Sequence, residues 1–262
     1  MEFICQKDAI EELKSLAESD RHSILIEGSD GSGKTYLATE YAKMINIDDI
    51  INVKPRVNDI RGAIDATFQQ DNRVLICVEN LDTGVKEASY TLLKSLEEPT
   101  SKVYIVITCR NSKKVPDTII SRSTSVNIAP PVDKDIDMYA QNINLQNYHM
   151  VHNSLIWKCV KTFSDANTVL NMNANQLQYF DSLKDLSAFN GTVSDIIWAL
   201  GHYNDEAKTA TPIELVIRYI MHIRPDKHSQ VAGVECLREL SKGTVASHAV
   251  LAKYVFEMKY AK

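Results

Sequence analysis

The residues Gly28-Ser-Asp-Gly-Ser-Gly33-Lys34-Thr35 limit what this chain can fold into more than any other segment. They directly follow the apolar run Ile24-Leu25-Ile26 and lead into a helix-like stretch from Tyr36 to Ile45. Strand, loop, helix, with G-x-x-x-x-G-K-T filling the loop, is the arrangement of a phosphate-binding loop. Glycines allow backbone N–H groups to curl around phosphate oxygens with no Cβ in the way. The helix N-terminus adds its partial positive charge. Lys34 suits the β- and γ-phosphates, and the Thr35 hydroxyl suits Mg²⁺. Gly28, Ser29, Asp30, Gly31, Ser32, Gly33, Lys34 and Thr35 are therefore candidate nucleotide ligands, with ATP and Mg²⁺ as the expected cofactors. A glycine turn that merely joins strand to helix is the competing reading, and the full match with correct flanks weighs against it.

The surrounding sequence alternates in type. Helical spacing marks Asp8 to Ser19, Thr35 to Ile45, Val57 to Gln69 and Lys86 to Glu97, the last stopped by Pro99. Apolar runs mark strands at Val74 to Val78 and Val103 to Thr108, a buried strand is expected at Ser23 to Glu27, and short strands at Ile50 to Val53 and Ser125 to Ile128. Strands without polar alternation, separated by helices, predict a parallel sheet covered on both faces. Pro130-Pro131 reads as a boundary, and beyond it the patterns are helical. Asp133 to Leu170 predicts a small helical domain. Further helices are predicted over Val193 to His202, Pro212 to Ile223, Gln230 to Ser241 and Ser247 to Lys259, while Asn171 to Leu186 carries no clear pattern.

Composition narrows the class. With 262 residues, 44% hydrophobic and 24% charged, the chain can bury a core in one to three domains. The N-terminal run Met1-Glu-Phe-Ile-Cys-Gln-Lys-Asp has early acids and does not read as a secretion signal. No segment is long and apolar enough to span a membrane. The five cysteines are scattered, which argues against a zinc site or disulfide framework and fits a reducing cytoplasm. A net charge of −5 argues against a nucleic-acid binder held by bulk charge, but leaves room for a local basic surface.

A second chemical site is expected where another strand ends. Val74-Leu-Ile-Cys-Val-Glu79-Asn80-Leu81-Asp82 places a carboxylate, Glu79, where a Mg²⁺ ligand is needed beside a phosphate loop. Asn80 stands where a general base would activate water, and a carboxamide orients water without taking its proton. The metal role stands and the hydrolytic role is weakened. Ordinary polar strand-end residues are the alternative.

The run Thr91-Leu-Leu-Lys-Ser-Leu-Glu-Glu-Pro-Thr100, the strand Val103-Tyr-Ile-Val-Ile-Thr108 and Pro116-Asp-Thr-Ile-Ile-Ser121-Arg122-Ser123 together resemble the small subunits of sliding-clamp loaders, members of the AAA+ class. Glu79-Asn-Leu-Asp82 is more similar to the delta-prime subunit of bacterial DNA polymerase III than to the gamma motor subunit. Val57-Asn-Asp-Ile-Arg61 is similar to the family's V-x-D-x-R helix. The resemblance runs from Gln6 to Ile128. It implies an α/β P-loop AAA+ core with a parallel sheet over 1–130, a helical lid over 131–188 and a helical collar for oligomerisation over 189–262. It implies that Arg122 is an arginine finger for a neighbouring subunit's ATP, a role for which guanidinium geometry and permanent charge are suited. Thr108 matches a sensor of the γ-phosphate or attacking water, with Cys109 as a competing alignment because the following loop is one residue longer. Arg61 matches a contact to primer–template phosphates. A surface arginine, a buried strand-end threonine and a solvated helix-face arginine are the respective alternatives.

There are departures from the family. The four-cysteine zinc module usual in bacterial members is absent between the phosphate loop and the metal-binding strand. The lid segment Thr162-Phe-Ser-Asp-Ala-Asn167 lacks the usual arginine. The chain is shorter than the usual subunit, so a reduced collar and a phage or plasmid replication system are expected. The partners implied are other loader subunits, in a hetero- or homo-oligomeric ring, a sliding clamp and primer–template DNA, in the cytoplasm at the replisome. A stator that binds ATP with little or no turnover is the first reading. A self-sufficient ATPase motor subunit, or another AAA+ replication factor such as a helicase loader, is the alternative.

Overall fold

A computed structural model describes residues 6–68, 72–174, 177, 180, 213–242 and 247–260. Contacts divide the chain into two compact units, Met1–Asp135 and Ile136–Lys262.

The first unit is built on five strands: β1 Ser23–Glu27, β2 Asp49–Val53, β3 Val74–Val78, β4 Val103–Cys109 and β5 Thr124–Asn127. They form one sheet in the order β2-β3-β4-β1-β5, and all four pairings are parallel. Helices α1 Lys7–Glu18, α2 Lys34–Met44, α3 Val57–Thr67, α4 Lys86–Glu97 and the single turn α5 Asp117–Ile120 connect and flank the strands. Successive strand residues alternate between two cores. Ile24, Ile26, Leu75, Cys77, Tyr104 and Val106 pack with Leu13, Leu37 and Tyr41 on one face. Leu25, Ile76, Val78, Ile105 and Ile107 pack with Ile60, Ala88 and Leu92 on the other. Burial on both faces is why these strands read as continuous apolar runs. Each fully buried Leu or Ile contributes about 1.5–3 kcal/mol.

Parallel pairing brings every strand's carboxyl end to one edge, the usual place for ligands in such sheets. Gly28 follows β1 there, Glu79 and Asn80 follow β3, and Arg110 follows β4. The observed elements shift the sequence-predicted ends by a residue or two. β4 runs on to Cys109 because Cys109 pairs with Glu27 of β1. α2 starts at Lys34, one residue early, because Gly33 at φ 97° is its cap.

The described part of the second unit is helical. α6 Asp133–Val151 starts at the border and breaks at Asn144 (φ −154°, ψ 88°), whose Oδ1 accepts from the Asn147 N–H at 3.0 Å and caps the second half. α7 Phe163–Leu170 is capped by Thr162, whose Oγ1 accepts from the Asp165 N–H at 3.0 Å. α8 Ile213–Ile223, α9 Lys227–Lys242 and α10 Ser247–Tyr260 follow. The buried Asp165 carboxylate is 2.9 Å from the Arg218 guanidinium of α8, so the arginine that meets α7 comes from a distant helix. The lid–collar boundary expected at 188/189 and the helix expected over Val193 to His202 lie outside the described residues. Among the described residues no helix is long and apolar enough to cross a membrane.

Candidate functional site

The phosphate-loop residues form a turn between β1 and α2. Gly31 (φ 69°) and Gly33 (φ 97°) take left-handed conformations that strain any side chain. Gly28 is glycine for a packing reason: a Cβ there would come within 2.3 Å of Ile128 Cγ1 and 2.8 Å of Ser32 Oγ. The Gly28 N–H donates to the Cys109 carbonyl at 3.0 Å, which ties the loop's start to the end of β4. Ser32 is fully buried and its hydroxyl donates to the Ser29 carbonyl at 2.7 Å. Ser29, Asp30 and Thr35 are exposed.

Lys34 is the chemical centre of this loop. Its side chain is only 6% exposed, and its ammonium donates to the Gly28 and Ser29 carbonyls at 2.8 and 2.9 Å. Asp30 Oδ1 lies 3.9 Å from the ammonium. Burial holds the Lys34 pKa below the usual lysine value, with Asp30 and Asp82 opposing that shift. A buried ammonium held by loop carbonyls is a cation whose hydrogen bonds an anion can take over.

The end of β3 lies beside the end of β4. The Asn80 N–H donates to Thr108 Oγ1 at 2.9 Å, and Thr108 is fully buried. Thr108 therefore touches the strand end that carries Glu79 and Asn80. Its neighbour Cys109 is also buried, and burial pushes that thiol up to about 12, so it stays protonated near neutrality. Asn80 adopts φ 48°, ψ 55°, a conformation asparagine tolerates better than most residues. Its buried Oδ1 has no hydrogen-bond partner. An orphaned buried acceptor costs stability and calls for a ligand or water to satisfy it. Together with the Lys34 cradle and the left-handed glycines, it fits a site made for a nucleotide and its metal. The Glu79 N–H is anchored to the Val53 carbonyl at 2.9 Å, which fixes the backbone that presents its carboxylate.

Sequence patterns missed Arg110, the residue after β4. Its guanidinium donates from Nη1 to Asp30 Oδ2 at 3.0 Å, and its Nε lies 3.8 Å from Asp82 Oδ2. No spacing rule links residues 80 positions apart, so only the sheet edge reveals the cluster.

The remaining candidates lie elsewhere. Arg122 follows α5. Its Nη2 is 2.8 Å from Glu97 Oε1 and its Nη1 donates to the Thr118 carbonyl at 2.9 Å. It borders a hollow of about 270 Å³ shared with Asp20, His22, Leu96 and Pro99. Arg61 is exposed on α3, at a groove of about 830 Å³ whose walls include Phe68, Tyr90 and Lys94.

Two comparisons bear on what this arrangement is. The fold is that of P-loop AAA+ proteins: it matches the Thermotoga maritima RuvB Holliday junction branch migration motor with a TM-score of 0.50 at 13% identity, over 86% of this chain and 79% of that one. It also matches a DNA polymerase III gamma subunit-related protein of Thermotoga maritima with a TM-score of 0.60 at 18% identity, over 95% of this chain and 98% of that one. Within this class the core has a more particular likeness: residues 43–132 match the family model of the DNA polymerase III delta subunit, so the chain resembles a clamp-loader-type AAA+ subunit. No curated protein sequence matches the chain.

Proposed function

We propose that this chain is a clamp-loader subunit that binds ATP with Mg²⁺ at Gly28–Thr35 and offers Arg122 to the nucleotide site of a neighbouring subunit. The observation that carries the reading is that two independent parts agree. The buried-lysine phosphate loop lies outside the segment that matches the DNA polymerase III family, while Glu79, Thr108 and Arg122 lie inside it.

In this reading the loop N–H groups and Lys34 bind the phosphates. Thr35 and Glu79 would hold Mg²⁺, which would supply neutralisation of the phosphate charge when bound. Thr108 orients the terminal phosphate or a water. Asn80 accepts a hydrogen bond from that water but takes no proton, so turnover by this chain alone is slow or absent. Arg122 leaves Glu97 for a partner's phosphate, a bidentate acceptor of higher charge. Arg61 touches the backbone of primer–template DNA, the helical second unit contacts fellow subunits, and the assembly works on a sliding clamp at the cytoplasmic replisome.

The test is steady-state ATP turnover of the purified chain with Mg²⁺, with and without primed DNA and clamp, beside Lys34→Ala. ATP binding with negligible turnover, lost in Lys34→Ala, supports a nucleotide-binding stator. Turnover stimulated by DNA and clamp would instead make the chain a motor and require a base other than Asn80. Failure of the wild type to bind ATP would refute the proposal.

A further inference from the structure

Arg110 is the first residue beyond β4 and two positions past Thr108. Its backbone N–H donates to Asp82 Oδ1 at 3.1 Å, and the Asp82 side chain is only 2% exposed. That buried carboxylate pins the Arg110 backbone while the guanidinium extends towards the phosphate loop. There it meets Asp30, whose other oxygen faces the Lys34 ammonium at 3.9 Å. One exposed loop carboxylate thus joins two cations, one at the start of α2 and one just past β4.

We propose that Arg110 is a phosphate-binding residue of this chain's own nucleotide site, occupied by Asp30 until a nucleoside triphosphate displaces that carboxylate. The inference rests on the reading of Gly28–Thr35 as an ATP site. A triphosphate carries several negative charges where Asp30 carries one, and a guanidinium binds phosphate oxygens in bidentate fashion. The move requires only a side-chain rotation, since the Asp82 bond holds the backbone in place. Arg110 comes from the β4 side of the loop, where Thr108 and the Asn80 acceptor also lie, so it serves the terminal phosphate and discriminates ATP from ADP. Asp30 shields two cations from each other in the free protein and becomes a competitor when the anion arrives.

The experiment is a competition titration of the full-length chain with ATP and with ADP, in Mg²⁺, against a fluorescent nucleotide. Arg110→Ala is expected to weaken ATP binding about tenfold while ADP changes less than about twofold, the worth of one charge-assisted pair. Arg110→Lys recovers part of the loss, because the charge remains without the fork. Asp30→Asn tightens ATP binding by removing the competitor. Equal ATP affinity in Arg110→Ala and wild type, an equal loss for both nucleotides, or weaker ATP binding in Asp30→Asn each overturns the inference. If Arg110→Ala melts below the assay temperature, Arg110→Lys and Asp30→Asn decide it in the same way. A wild type that binds neither nucleotide overturns this inference and the ATP-site reading together. A wild type that binds ATP with an unchanged Arg110→Ala overturns this inference alone.

Discussion

Two of the places that the proposal assigns to phosphate are built differently. At the loop mouth Lys34 is buried against backbone carbonyls, while Arg110, as exposed as Arg122, is paired with the exposed Asp30 and has its backbone N–H held by the buried Asp82 carboxylate. At the α4–α5 corner Arg122 is one-third exposed and is held by one half-exposed glutamate, Glu97, and one carbonyl. A buried, multiply bonded cation is pre-organised and pays little to reorder when its anion arrives. An exposed pair in water is worth about 0–1 kcal/mol and opens easily. The first arrangement suits a ligand bound within the chain, and the second suits a side chain offered outward.

Substitutions can break or sharpen this contrast. Lys34→Ala should have the largest effect, lowering ATP affinity roughly 100-fold through loss of a buried charge-assisted donor. Calorimetric titration measures it, and near-normal affinity would remove the loop from the nucleotide site. Gly28→Ala comes next. A methyl group driven into Ile128 and Ser32 should cost about 1–3 kcal/mol of stability, read as a lower melting temperature. An unchanged melting temperature would show that the loop is looser than its packing implies. Glu97→Gln should do least, shifting the melting temperature by less than about 3 °C and leaving the chain's own ATP affinity unaltered. A large destabilisation would mean that Arg122 is structural, and the contrast would collapse.

Much of the first unit was legible because its signals are local. β1, the loop and α2 announce themselves by glycine and lysine chemistry, and β3 by five consecutive buried residues. The placement of Glu79 and Asn80 just past β3 is legible because strand ends are visible in sequence, but the Asn80 bond to Thr108 is not. Pairings across the fold left no trace in the pattern. Arg110 with Asp30, Arg122 with Glu97 and Asp165 with Arg218 join residues that only tertiary packing brings together. In the second unit, helices were readable from apolar spacing. The break at Asn144 was not, because its apolar neighbours keep their periodicity across a single non-helical residue.

The most direct test of the outward role of Arg122 uses a chain whose own site is silent. In a complex reconstituted with its replication partners, every copy of this chain would carry Lys34→Ala, and ATP turnover would be compared with and without Arg122→Ala. An arginine acting on a neighbour's nucleotide should, when removed, lower turnover on the order of 10³-fold. Equal turnover in the two complexes would contradict the claim that Arg122 serves a site in another subunit.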